Sequence, residues 1–86
     1  MHILIERFIN NMTIQDVNNF ALSKGANLSD SELNFTYNFI KTNYKNILGN
    51  PKLLDLDRYK NNYTKENFEI ISKVFQEYYQ KYSRYL

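Results

Sequence analysis

The chain has 86 residues, a formal net charge of +2, 43% hydrophobic residues and 16% aromatics, all Phe or Tyr. That length allows one domain burying a little over ~60% of its unfolded surface, and that much apolar side chain argues against disorder. No cysteine is present, which excludes a disulfide framework, a thiolate nucleophile and a Cys-based zinc site, and two Gly with one Pro disfavour a turn-dense all-β fold.

The first predicted helix spans about His2 to Asn10, with Leu4, Ile5, Phe8 and Ile9 on one side. Its start, Met1 to Arg7, is a poor signal peptide, because no basic segment precedes an apolar run that stops after Ile5. The second helix is announced by Thr13 as N-cap, with Asp16 at the third position imitating a capping box. Met12 and Val17 can staple that start, and Gly25 supplies the left-handed residue that ends it.

The third helix repeats the pattern with Ser29 and Glu32 as capping box and Leu28 with Leu33 as staple. Its apolar positions are Leu33, Tyr37, Phe39, Ile40, Tyr44, Ile47 and Leu48, and Gly49 stops it. Asn50-Pro51 reads as an N-cap and first-turn proline, followed to about Lys60 by a short helix or turn carrying Leu53, Leu54, Leu56 and Tyr59. After a break at Asn61-Asn62, Thr64 caps the last helix and Tyr63 with Phe68 can staple it. This helix runs to about Arg84, roughly 20 residues or ~30 Å. The reading is all-α: a single small bundle of about four helices over residues 1–86, with Phe20, Leu33, Tyr37, Ile40, Ile71, Val74 and Phe75 largely buried.

The pattern with most functional content is the aromatic stripe of the last helix: Phe68, Ile71, Phe75, Tyr78, Tyr82 and Tyr85 recur at alternating spacings of three and four. Such a stripe lays a helix along another surface. It does not fade toward the end, and Tyr suits a surface that is covered in a complex yet tolerated in water. Tyr78, Tyr82 and Tyr85 are therefore candidate partner-binding residues, pairing with the same helix of a second chain or with another protein. The competing reading is core, folded back near Ile5 and Phe8. Lys81 and Arg84 among the tyrosines admit a third reading, stacking on single-stranded bases.

The stretch Thr13 to Ser29 invites a helix-turn-helix reading, making a weak DNA- or RNA-binding module the alternative. It fits badly, since Ser31, Asn34 and Lys24 occupy positions such motifs fill with aliphatics, while Asp30 and Glu32 open the would-be recognition helix. Charge adds little: residues 1–43 carry three basic and four acidic groups (net −1), residues 44–86 eight and five (net +3). The abundance of Asn, Lys, Ile and Tyr reads as an AT-rich genome.

Catalytic signals are missing. Asp55, Asp57 and Glu66 match the first, third and twelfth positions of a calcium loop, but Lys60 stands where that loop requires Gly. The acids read better as first-turn residues facing a helix dipole. His2 is the only histidine, so a His-led triad or multi-His metal site is absent. Four sequons, Asn11-Met12-Thr13, Asn27-Leu28-Ser29, Asn34-Phe35-Thr36 and Asn62-Tyr63-Thr64, lack a secretion signal, and three end on an expected N-cap. The expectation is a cytoplasmic, non-enzymatic interaction module, paired with itself as a homodimer or with another protein, with no cofactor, no metal and no membrane span.

Phe8-Ile9-Asn10, Met12-Thr13, Asp16-Val17, Phe20-Ala21, Leu28-Ser29 and the long aromatic last helix together resemble a family of short, uncharacterised all-helical proteins of low-GC Gram-positive bacteria, of the Bacillus and Staphylococcus type. The resemblance covers nearly the whole chain through packing and capping residues. It implies a compact helical fold in a bacterial cytoplasm, and no activity or site residue.

Overall fold

A computed structural model of the chain describes residues 2–49 and 55–82, with side chains over 7–44, 55–77 and at Gln80. Four α-helices follow in order: α1 (His2–Asn11), α2 (Ile14–Ser23), α3 (Asp30–Gly49) and α4 (Lys65–Tyr82), with a 3₁₀ helix (Leu56–Asn62) between α3 and α4. Among the described residues there is no strand, and no helix is long and apolar enough to cross a membrane. The all-α small bundle is the observed architecture.

Each boundary follows from local hydrogen bonding. At α2 the Asp16 amide donates to Thr13 Oγ1 at 3.1 Å and the Thr13 amide to Asp16 Oδ2 at 2.9 Å, so Asp does complete the box. The staple positions Met12 and Val17 are both buried. At the other end Gly25 has φ +88°, its amide donates to Leu22 O at 3.0 Å, and the Ala26 amide donates to Ala21 O at 2.9 Å. That pair of bonds is a Schellman ending, with its apolar contact made by Ala21 and Ala26. α1 ends instead against α3, whose Lys41 ammonium donates to Asn10 O at 3.0 Å and places a cation at the negative helix end.

The connection before α4 is a 3₁₀ helix whose first turn is tied by Asp55 Oδ1 accepting from the Asp57 amide at 3.1 Å. The chain extends at Tyr63, one residue beyond the expected break. Thr64 then caps α4, accepting from the Asn67 amide at 3.2 Å, and the Tyr63 and Phe68 rings sit 6.3 Å apart as the staple. The expected Asn50-Pro51 start and Leu53-Leu54 lie outside the described residues.

α3 is the central element, lying against both α1 and α2, while α4 packs by its backbone against the 3₁₀ helix. The sealed core is small: Ala21, Ala26 (0% exposed) and Leu28, with Leu33, Tyr63 and Ile70 packed against it. Among the described residues no large side chain is fully buried. A second cluster ties α3 to the 3₁₀ helix and α4: the Phe39 and Tyr59 rings meet edge-on at 4.9 Å, and Phe35 lies 5.7 Å from Tyr63 and 5.8 Å from Tyr59.

This corrects the expected core at Phe20, which is 41% exposed, while Leu33, Tyr37, Ile40, Ile71, Val74 and Phe75 are partly buried and none of them is sealed. The apolar residues that are buried, Met12, Val17, Ala21, Ala26 and Leu28, run from the start of α2 through the Gly25 turn to the start of α3. A sealed Phe75 would cost ~3–5 kcal/mol on truncation to Ala. Half-buried, it should cost about 1–2 kcal/mol, measured by urea denaturation. Gly25→Ala should cost about 1 kcal/mol: a Cβ there meets nothing within 4 Å, so the penalty is the left-handed backbone alone, and a thermal melt reads it.

Candidate functional site

Two features stand out: a buried polar clasp and the apolar groove beside it. The clasp is built on Glu32, 5% exposed. Its Oε1 accepts from the Ser29 amide at 2.8 Å, closing the α3 capping box, while the Glu32 amide donates to Ser29 Oγ at 3.1 Å. Its Oε2 accepts from the Thr64 amide at 2.8 Å. Asn67 Nδ2 donates to both carboxylate oxygens, at 3.0 and 3.2 Å, and to Asn27 O at 3.1 Å.

Position 67 is where α4 would carry its own Glu or Gln in a self-contained box. It carries Asn, and the acceptor for the Thr64 amide comes from α3. One carboxylate thus caps two helices, at the positive ends of both dipoles. Burial pushes the Glu32 carboxyl up, but the bonds from the Ser29 and Thr64 amides, the Ser29 hydroxyl and Asn67 outweigh it and hold the pKa below the ordinary value.

One turn further, Thr36 donates its hydroxyl proton to Glu32 O at 2.8 Å, so the Tyr63 phenol is the donor in the Thr36–Tyr63 bond. Burial, with the Glu32 charge adding to it, raises the Tyr63 pKa and keeps that proton in place. Among the described residues no buried side-chain nitrogen or oxygen lacks a partner. The hydroxyls of all four sequons have structural work: Thr13, Ser29 and Thr64 cap helices, and Thr36 bridges Glu32 and Tyr63.

Beside the clasp lies a half-open cavity of about 600 Å³, almost wholly apolar, walled by α1, α2, α3 and α4. Phe8, Phe20, Ile40, Ile71, Val74 and Phe75 are among the side chains that line it. The volume falls within the range of ordinary ligand sites. Phe8 is 67% exposed, and the Lys24 ammonium lies 5.6 Å from the Phe20 ring centroid.

Three members of the aromatic stripe, Phe68, Ile71 and Phe75, line this groove, so the upper stripe forms a groove wall and not a sealed core. α4 carries positions 78 and 82 at the same spacing. The side chains of Tyr78 and Tyr82, and all of Tyr85, lie outside the described residues. The helix-turn-helix positions Ser31 and Asn34 are exposed, and six residues separate α2 from α3, longer than the three or four of such a turn. Of the two acids that open α3, Asp30 is exposed and Glu32 is buried. Among the described residues no group of three or more His, Asp or Glu is placed to hold a metal ion, and Asp55 is engaged as a cap.

Sequence reasoning found Ser29, Glu32, Thr64 and Tyr63 as local caps and staples but not their convergence, and it missed Thr36 and Asn67. The available signal was Asn67 at an N3 position, a short polar side chain with spare donors beside a cap. No family model, curated protein or solved structure matches the chain.

Because the Glu32 pKa is depressed on folding, its contribution to stability is complete above the unfolded glutamate value of about 4.3 and is lost as pH falls through the lower folded value. Urea midpoints should hold from neutral pH to about 5 and then decline, with a shallower decline in Glu32→Gln. Glu32→Ala should cost about 2–3 kcal/mol at neutral pH, since it strands the Thr64 amide and the Asn67 amide group.

Proposed function

We propose that this chain is a non-enzymatic protein-interaction module of the bacterial cytoplasm, and that its apolar groove receives an amphipathic helix. The observation that carries this reading is the groove itself: about 600 Å³ framed by large side chains that stay partly exposed, in a chain where no described large side chain is fully buried. A contiguous apolar concavity on a soluble domain is costly in water and marks a docking surface. Apolar anchors at helical spacing are the usual occupant of such a groove. The chain carries that kind of helix itself, in the run Tyr78, Tyr82 and Tyr85, so a second copy is the partner tested first.

Sedimentation at protein concentrations up to about 1 mM would reveal an association worth as little as about 4 kcal/mol. Phe8→Ser with Phe20→Ser removes groove-side anchors, and Tyr82→Ser with Tyr85→Ser removes stripe anchors. Each pair should abolish association while lowering the melting temperature only slightly. A parent that stays monomeric, and that captures no protein from a bacterial lysate in a manner dependent on these residues, overturns the reading.

A further inference from the structure

α4 is fastened to the bundle at one end. Among the described residues, its hydrogen bonds to other elements come only from its cap and first turn: the Thr64 amide to Glu32, and Asn67 Nδ2 to Glu32 and Asn27. The residue before it, Tyr63, holds Thr36 and lies 5.7 Å from the Phe35 ring. Every one of these directional ties falls within residues 63–67. Beyond them Ile70 still packs against the Ala21, Ala26 and Leu28 cluster, and α4 then lends Ile71, Val74 and Phe75, all partly buried, to the lining of the groove. Its closest backbone packing is with the 3₁₀ helix, whereas α3 packs closely on both α1 and α2.

We propose that α4 is a hinged wall, which pivots about the Glu32–Asn67 clasp to widen or narrow the groove while α1, α2 and α3 move as one body. Hydrogen bonds to a buried carboxylate fix a point and an entry direction. They exert no hold on a segment two or three turns away, where, among the described residues, the contacts of α4 with the bundle are apolar. Side chains that are only partly covered lose less contact than a sealed core would when the wall swings out, so opening costs only part of the global stability. An occupant that fills the groove binds the narrowed form better and shifts the population toward it. The clasp therefore sets how far an unfilled groove opens.

Native-state amide exchange on the intact chain at dilute, partner-free conditions tests this. Amides of residues 70–77 should exchange at least about tenfold faster than those of 17–22 and 34–40, with a weaker urea dependence that marks a local opening. Asn67→Ala should accelerate the α4 amides about a further tenfold and leave α2 unchanged. Uniform exchange across α2, α3 and α4 in the parent, at the global stability, overturns the hinge, as does an Asn67→Ala variant in which all three helices accelerate together. The parent measurement decides the matter alone if that variant does not fold. No partner is present, so failure of the hinge is separable from failure of the interaction reading.

Discussion

The fold depends on one carboxylate placed between two helix starts. A helix start exposes amides with no partner along its own axis, and burying one unsatisfied is expensive. Glu32 meets this requirement for α3 through Ser29 and for α4 through Thr64, and Asn67 fills its remaining acceptor capacity. Because the bonds are charge-assisted and the site is shielded, they fix where α4 leaves the body of the protein far better than apolar contact could. The same arrangement turns Tyr63 inward to Thr36 and Phe35.

With the start of α4 anchored on α3 at a polar node, the two helices need not close on each other along their length. The buried apolar cluster lies around the α2–α3 turn, where Ala21 and Ala26 allow close approach to Leu28. Elsewhere Phe and Tyr side chains line a groove. Aromatic rings tolerate that position, since edge-on pairs such as Phe39 with Tyr59 retain much of their packing energy when only one face is covered. The proposed docking role follows from this division between a tight polar joint and a loosely closed apolar trough.

Local rules made the helices legible in the sequence, and nonlocal ones governed the rest. Thr13 with Asp16, Ser29 with Glu32, Gly25 and the Tyr63–Phe68 staple act within a few residues, so their chemistry is visible in a short window. Burial was less legible. Periodicity assigned Phe20 and Phe75 to a core face, yet a face can point into an open groove as readily as into a sealed interior. Phe35 lies off the main stripe of α3, and that departure was the trace of a central helix with neighbours on two sides. Glu32 satisfied its local role completely in sequence terms, which hid its second role 32 residues away.

That separation bears on the order in which the chain can assemble. α2 and α3 carry their own start signals within their own segments, so each can form its first turn from neighbours in sequence. The first amide of α4 finds its protein acceptor only after a loop from residue 32 to residue 64 has closed, at an entropic cost that grows with the logarithm of loop length. A chain emerging from synthesis has already exposed Glu32, with its Oε2 lacking the Thr64 partner, when Thr64 appears. The last helix thus docks onto a waiting acceptor, and the topology places its joining late, after the local structure that receives it.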